Sequence, residues 1–170
     1  MTSSRGLGDV YKRQVRTYVK KDGIPGVFFL TLEAKSMITC SYATKAYGLP
    51  YNYAKGRVVS KENTVSWQSR RKSGDMGLSG STTISGPKSR AQQGSLEEFL
   101  FERYSLYTSK GGSIMRGYTH HKPWEFCSAE VVLTDNSLTK SFDFGIADHS
   151  TPDLTHYSDG VYVRTYSIAV

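Results

Sequence analysis

Residues 15–32 read VRTYVKKDGIPGVFFLTL and contain two strand-like runs separated by turn residues. The first run, Val15–Lys20, is rich in β-branched residues, and the Asp-Gly and Pro-Gly pairs that follow are typical of a tight turn. The second run, Val27–Leu32, is apolar at both odd and even positions, which indicates that both of its faces are covered. The stretch therefore predicts a β-hairpin whose second strand lies in the middle of a sheet.

Two segments have the patterns of α-helices. In residues 35–47, apolar and small side chains recur every three or four positions, and Gly48 and Pro50 then supply a helix stop. In the second segment, Ser95 and Glu98 have the spacing of a capping box, in which the serine caps the helix and the glutamate returns to the serine N–H. This helix is predicted to continue to about Arg103 and to direct one face at the core: Leu96, Phe99, Leu100 and Arg103.

The other strand-like runs complete the fold class. They cover residues 56–60, 64–70, 78–85, 104–108, 114–121, 129–133 and 160–168, while residues 135–159 are polar and rich in turn residues. The helices lie between groups of strands without regular βαβ alternation. This arrangement predicts an α+β fold with a mainly antiparallel, curved or barrel-like sheet and about two helices packed outside it. Whether the barrel closes is left open.

Length and composition bound the class of protein. A chain of 170 residues with 22% charged residues is typical of one globular domain whose core needs no disulfide or metal. The only cysteines, Cys40 and Cys127, lack the spacing of a zinc site or a disulfide framework, so we expect a reducing, cytoplasmic setting. No apolar run is long enough for a membrane span or a signal peptide, and no membrane partner is expected.

The first fourteen residues are predicted to be a non-native tail. Asp9–Gln14 (DVYKRQ) matches the translated end of a transposase adapter used in preparing sequencing libraries; the alternative is a genuine flexible tail. Such segments are excluded from fold reasoning, which leaves residues 15–170 as a single domain. Without the charged side chains of the tail, the formal charge falls from +7 to +5, which weakens the case for an anionic macromolecule as partner. The basic residues are also scattered, so no nucleic-acid partner is expected.

The densest chemical cluster is His120-His121 with Lys122, Pro123 and Trp124. In a strand the two imidazoles point to opposite faces and cannot easily share one ion, so neither a metal nor another cofactor is predicted. Arg116, Tyr118 and His120 alternate on one face, which either lines a polar cavity or contacts water. His121, on the other face, is expected to be a buried histidine with one hydrogen bond.

Arginine and tyrosine occur together at two further places. Arg16 and Tyr18 share one face of the first strand, and Arg103-Tyr104, with Tyr107 close behind, follows the capped helix. The planar guanidinium suits a carboxylate and tyrosine adds an apolar wall with one polar tip, so these residues could surround a small anion. The alternative for Arg103 is structural, with its guanidinium on backbone carbonyls or on a carboxylate such as Glu33.

The chain from Val15 to about Tyr166 resembles the DUF2071 family of uncharacterised, YqjF-like proteins. The resemblance rests on VRTYV (15–19), GVFF (26–29), GLPY (48–51), GSLEEFL (94–100) with ERY (102–104), RG (116–117), HH (120–121) with PW (123–124), and HYSDGV (156–161). It implies a fold like that of acetoacetate decarboxylase, with a barrel-like sheet, outer helices and a small-molecule cavity. It implies no activity, because the family has none assigned.

Two departures from the resemblance affect what it implies. Family members usually begin with a further segment rich in tryptophan and proline, so we expect this chain to lack that N-terminal part of the domain. The decarboxylase-like relatives use a lysine beside a second lysine. Here Lys20-Lys21 lies at a predicted turn and Lys122 adjoins a proline, so enzymatic activity follows only by analogy with the fold.

Together these observations predict a domain that binds a small anionic or carbonyl-containing molecule in an interior cavity. The alternative is an enzyme with decarboxylase-like or other acid–base chemistry on a small carboxylate, for which His120 is the best catalytic candidate. The oligomeric state is left open. The candidate ligand-binding residues are Arg16, Tyr18, Arg103, Tyr104, Tyr107, Arg116, His120 and Trp124.

Overall fold

The computed structural model describes residues 13–143 and 151–166. In these residues the elements are β1 (Arg13–Lys21), β2 (Ile24–Ala34), α1 (Met37–Tyr47), β3 (Tyr51–Lys61), β4 (Thr64–Arg71), β5 (Gly77–Ile84), β6 (Ser89–Arg90), α2 (Leu96–Phe101), β7 (Ser105–Lys110), β8 (Ser113–His120), β9 (Glu125–Asp135), α3 (Ser137–Lys140), β10 (His156–Tyr157) and β11 (Arg164–Thr165). Two residues assigned to the non-native tail, Arg13 and Gln14, are part of β1, and residues 1–12 lie outside the described residues.

The predicted N-terminal hairpin is confirmed. Strands β1 and β2 pair in antiparallel register from Arg13 opposite Glu33 to Lys21 opposite Ile24. The turn between them has positive φ at both central residues, 52° at Asp22 and 79° at Gly23. Two successive left-handed residues match the twist of paired strands, which is why an Asp-Gly pair is suited to this position.

The sheet has the predicted mainly antiparallel character, with β2 at its centre. Its strands follow the order β10-β9-β5-β4-β3-β2-β7-β8-β11, with β1 paired to β2 and β6 paired to β9 outside this order. The two parallel pairings both involve β2, which pairs with β3 and with β7. In the described part of the chain no ladder joins β10 to β11, so the sheet does not close into a barrel.

Helix α1 ends at Tyr47, as the sequence predicts, and begins at Met37, two residues later than predicted. The Ser36 side chain accepts a hydrogen bond from the Thr39 N–H (3.1 Å), and Gly48 ends the helix in the left-handed conformation with φ 68°. The buried face of the helix contains Cys40 and Ala43. Burial raises the pKa of the Cys40 thiol, and the carboxylate of Glu33 raises it further.

Helix α2 differs from the prediction in length, capping and packing. It ends at Phe101 because Glu102 leaves the helical conformation, so Arg103 is not on the helix. Ser95 accepts from the Glu98 N–H as expected, but the Glu98 carboxylate accepts from the N–H of Gly94 instead of Ser95. The predicted core-facing side is wrong: Leu96 is 57% and Phe99 46% exposed. The helix has six residues and none of them is buried; Phe99 packs instead against Tyr18 and Arg103.

An ion pair lies in the interior between β2 and β4. The Arg71 guanidinium donates to both carboxylate oxygens of Glu33, at 2.8 to 3.2 Å, and also to the Thr31 hydroxyl at 2.7 Å. Asn52 donates to the same hydroxyl at 3.0 Å. Glu33 therefore pairs with Arg71 and not with Arg103, which donates to the carbonyl of Glu102 instead.

The C-terminal part is more ordered than its composition predicts. Residues 135–159 were expected to be polar loop, yet they contain α3 and β10, with residues 144–150 outside the described residues. The expected last strand, residues 160–168, is reduced to the two residues of β11, and residues 167–168 are not described. None of the described helices has the length and apolar character that a bilayer crossing requires.

Candidate functional site

A cleft of about 360 Å³ opens between the start of β1, the end of α2, β9 and β10. We call it the Arg16 cleft; its lining residues are Gln14, Arg16, Phe101, Trp124, Phe126, His156, Tyr157 and Ser158. Most of these side chains are aromatic. A cavity with apolar walls and a few polar groups is the usual form of a small-molecule site.

Arg16 is held at the edge of this cleft by the end of helix α2. Its guanidinium donates to the Leu100 carbonyl at 3.2 Å and to the Tyr18 hydroxyl at 3.3 Å. The Tyr18 hydroxyl in turn donates to the Leu100 carbonyl at 3.0 Å. Arg16 and Tyr18 are two residues apart on β1 and share a face, as the sequence predicts. The helix end therefore orients the arginine while the residue stays exposed.

His156 and Glu97 form the second polar feature of the Arg16 cleft. The His156 Nε2 lies 3.7 Å from a Glu97 carboxylate oxygen, and the two side chains are 14% and 30% exposed. The imidazole packs edge-on against Phe101 and Phe126, with ring centroids 5.3 and 4.8 Å apart. This contact fixes the plane of the imidazole and leaves the carboxylate on its Nε2 side.

The apolar wall is built around the start of β9. Phe101 and Phe126 pack with ring centroids 4.8 Å apart, and the backbone N–H of Trp124 donates to the Glu102 carboxylate at 2.9 Å. Tyr157 closes one side. Its burial, followed by a hydrogen bond with Asp159, raises the pKa of this tyrosine, so its hydroxyl stays protonated at neutral pH.

A second, larger cleft of about 580 Å³ lies on the other side of the segment that joins β8 to β9. We call it the His120 cleft; its lining residues are Arg90, His120, His121, Lys122, Pro123, Glu125, Gly160, Val161, Tyr162 and Arg164. Two segments of the chain contribute to both clefts. In the first, Trp124 and Phe126 line the Arg16 cleft while Glu125 lines the His120 cleft. In the second, side chains within 156–158 line the Arg16 cleft and side chains within 160–164 line the His120 cleft.

Three of the predicted site residues lie around α2 or the β8–β9 segment without lining the Arg16 cleft. Tyr18 contacts Phe99, with centroids 4.9 Å apart, and the Arg103 guanidinium lies 4.4 Å from the same ring. The Arg103 Nε is buried and has no hydrogen-bond partner among the described residues. Tyr104 stacks on His121 at 4.5 Å. Burial and a hydrogen bond to Glu102 raise the pKa of Tyr104 to about 12.

Two others lie on the β7–β8 hairpin, away from both clefts. The buried Tyr107 hydroxyl donates to the Ile24 carbonyl at 3.0 Å and so joins β7 to the turn-proximal end of β2. The Arg116 guanidinium lies 4.4 Å from the ring of Tyr118, which is 48% exposed. Of the eight candidates, Arg16 and Trp124 line the Arg16 cleft and His120 lines the His120 cleft.

The histidine pair is arranged as expected for strand residues. His120 is exposed, while His121 is buried and its Nδ1–H donates to the Lys122 carbonyl at 2.8 Å. Within residues 13–143 and 151–166, no three or more His, Cys, Asp or Glu side chains are grouped so that they could hold a metal ion.

Seven residues in or beside the Arg16 cleft are not among the sequence-predicted candidates: Gln14, Glu97, Phe101, Phe126, His156, Tyr157 and Ser158. Glu97 and His156 do occur in the GSLEEFL and HYSDGV motifs that carry the family resemblance. The presence of Glu97 and His156 in these motifs could have marked them as candidate site residues. Nothing in the sequence of either motif indicates that the two side chains lie close together.

The sequence matches the family DUF2071, described as "Uncharacterized conserved protein", over residues 1–162. It is also 31% identical over 146 residues to "Uncharacterized protein YqjF" of Bacillus subtilis (strain 168). That match covers 85% of this chain and 59% of the relative, so the chain spans less than two thirds of the length of this curated protein.

Solved structures share the architecture at low sequence identity. An acetoacetate decarboxylase from Legionella pneumophila aligns with a TM-score of 0.57 and 11% identity, over 92% of this chain and 66% of that one. The enduracididine biosynthesis enzyme MppR, solved with HEPES buffer bound, aligns with a TM-score of 0.55 and 10% identity, over 94% and 62% of the two chains. The fold is therefore acetoacetate decarboxylase-like, as the sequence predicts, and at such identities the likeness shows the fold alone.

Proposed function

The chain belongs to the DUF2071 family, and from its fold and the geometry of the Arg16 cleft we propose that it binds a small carboxylate there. The observation that carries the proposal is the Arg16 guanidinium at the edge of a cavity whose other walls are mostly aromatic. A cavity of about 360 Å³ falls within the range of small-molecule sites, between about 300 and 1,000 Å³.

Charge favours a monoanion. Arg16 is the one lining residue, of those described, that is always cationic, and none of the lining residues is a carboxylate. Glu97 faces the His156 ring and not Arg16, so it does not neutralise the arginine. One planar guanidinium can hold one carboxylate through two parallel N–H···O bonds.

The walls favour an apolar or carbonyl-containing body on that carboxylate. Phe101, Trp124 and Phe126 offer aromatic surface for such a body. One solved protein of this fold is named as an acetoacetate decarboxylase, and its substrate is a small oxo acid. Cys40 and Cys127 are both free and buried, which supports a cytoplasmic location for this binding function.

The test is a thermal melt with phenylpyruvate, a small oxo acid with an aromatic body. A hundredfold excess over the dissociation constant stabilises the native state by about 2.7 kcal/mol, which raises the melting temperature by about 5–10 °C in a domain of this size. The shift should be lost in Arg16→Ala and retained in the control Arg57→Ala, which removes an exposed arginine on β3, outside the Arg16 cleft. The methyl ester, which lacks the carboxylate, should give no shift. An equal shift in Arg16→Ala, or none in a cooperatively melting wild type, would reject the proposal.

The His156–Glu97 contact favours a second candidate function, acid–base catalysis on the same class of ligand. An imidazole held between Phe101 and Phe126, with a carboxylate 3.7 Å from its Nε2, can remove a proton from the carbon next to the carbonyl of a bound oxo acid. The C–H electron pair then moves into an enolate, and the proton resides on the imidazole until it returns to carbon. In this arrangement His156, and not His120, is the base, because His120 lines the other cleft.

Deuterium exchange distinguishes the two histidines. In D₂O the wild type should exchange the C3 protons of phenylpyruvate faster than buffer does, as followed by NMR. His156→Ala should lower this rate by about 10²-fold or more while the thermal shift persists, and His120→Ala should leave the rate unchanged. Loss of exchange in His120→Ala instead would return the catalytic role to His120. Binding without any exchange would leave binding as the function.

A further inference from the structure

The His120 cleft lies where the sheet fails to close. His120 is on β8 and Arg164 on β11, at one end of the strand order, and their backbones are directly paired. Arg90 on β6 and Glu125 on β9, at the other end, are also directly paired. The curvature of the sheet brings these two ends to opposite walls of one cleft.

The cleft carries an excess of positive charge. Its lining contains three permanently cationic side chains, Arg90, Lys122 and Arg164, and a single carboxylate, Glu125. Arg90 uses two nitrogens to hold that carboxylate, with Nε at 3.1 Å and Nη2 at 2.7 Å. Among the described residues no carboxylate forms an ion pair with Lys122 or Arg164. Two positive charges therefore remain without a countercharge in the described part of this cleft.

The backbone that carries Lys122 is anchored although its side chain is exposed. The preceding residue, His121, is buried, donates to the Lys122 carbonyl, and stacks on Tyr104 at 4.5 Å. The Arg164 guanidinium lies 5.8 Å from the ring of Tyr162, and the backbone of Arg164 is paired with that of His120, two residues before Lys122. Both cations thus extend from defined, neighbouring backbone positions on the β8–β11 side of the cleft, and the ligand does not have to order the backbone around it.

We infer that the His120 cleft binds a phosphate monoester through Lys122 and Arg164, at a site separate from the Arg16 cleft. Two uncompensated cations match the double negative charge of a phosphate monoester near neutral pH, whereas the single arginine of the other cleft matches a monoanion. The cleft volume of about 580 Å³ leaves room for an organic group, and Pro123, Val161 and Tyr162 provide apolar surface for it.

The experiment measures phenyl phosphate binding by calorimetry at constant ionic strength and at about pH 7.5, where the monoester is dianionic. In the double variant Lys122→Ala/Arg164→Ala the dissociation constant should rise by about tenfold or more, as expected for loss of two charge-assisted contacts. The matched control Lys55→Ala/Lys61→Ala removes the same net charge from exposed positions on β3 and should bind like the wild type. An equal loss in the control, or no binding by the folded wild type, would overturn the inference.

Two further arms separate this site from its alternatives. Arg16→Ala should bind phenyl phosphate normally, and loss of binding in that variant would place the ligand in the Arg16 cleft instead. Inorganic phosphate should bind about tenfold more weakly than phenyl phosphate, because it lacks a group to contact Pro123, Val161 and Tyr162. Equal affinity for the two would show that the cleft takes inorganic phosphate and would overturn the assignment of a monoester.

Discussion

The buried ion pair of Glu33 and Arg71 gives the sharpest prediction about what stabilises this fold. The two side chains are 2% and 16% exposed, and the guanidinium contacts both carboxylate oxygens. Arg71→Met removes the guanidinium and leaves the carboxylate in the interior, where little water can replace the lost hydrogen bonds.

The expected loss of stability follows from that burial. Removing one partner of a buried pair costs about 3–5 kcal/mol. The Thr31 hydroxyl still donates to Glu33 at 2.8 Å, so we expect the lower end of this range, about 3 kcal/mol. For a domain of this size the melting temperature should then fall by about 6–12 °C.

Urea unfolding, followed by the fluorescence of Trp67 and Trp124, measures the loss. The matched control is Arg70→Met, one residue away on β4, whose guanidinium is 58% exposed and pairs with Asp135 at 3.0 Å. Exposed pairs contribute less than about 1 kcal/mol, so the control should lie within that limit. The double variant Glu33→Met/Arg71→Met should regain most of the stability, because an apolar pair leaves no buried charge.

Two outcomes would refute this reasoning. A loss in Arg71→Met no larger than that in Arg70→Met would mean that water reaches the Glu33 carboxylate. A double variant as unstable as the single one would mean that the pair itself stabilises the fold, and that the cost does not come from the stranded charge.

Two more predictions concern a carboxylate and two glycines. The Ser137 backbone N–H, at 3.1 Å from the carboxylate, lowers the pKa of Asp135, and the Ser137 hydroxyl lowers it further. Stability from a lowered pKa is complete above the unfolded value of about 3.9 and is lost as the pH falls through the folded value. Asp135→Asn, which weakens these hydrogen bonds, should therefore cost about 1 kcal/mol at pH 7 and almost nothing in strong acid, as measured by urea unfolding across pH. Gly23 and Gly48 both have positive φ, but an added Cβ meets nothing within 4 Å at Gly23 and lies 2.6 Å from the Ser109 carbonyl oxygen at Gly48. Gly23→Ala should cost about 1 kcal/mol and Gly48→Ala clearly more, and equal losses in denaturant unfolding would show that the Ser109 backbone yields.

The elements predicted most accurately are those with local causes. The β1–β2 hairpin depends on an Asp-Gly turn and on the adjacent strand pattern, and α1 on three- to four-residue periodicity that ends at Gly48. The length of α2 was overestimated because its continuation was inferred from apolar spacing, whereas the chain turns at Glu102 to enter β7. The two-residue strand β10 was missed, since so short a run has little pattern of its own.

For the candidate site, local pattern supplied residues but not their arrangement. It placed Arg16 and Tyr18 on one strand face, which the structure confirms through their hydrogen bond. It did not indicate that Arg16 shares a cleft with His156, or that His120 lies in a different cleft.

The sequence alone therefore determined the α+β class and the central position of β2, because turns, caps and the burial of a strand depend on residues close together in the chain. It also determined the family, through short motifs and their order along the chain. Only the tertiary structure decided that Glu33 pairs with Arg71 and that the cations divide between two clefts. These outcomes depend on which strands pair and how far the sheet curves, and such long-range contacts leave no periodic signal in the segments that make them.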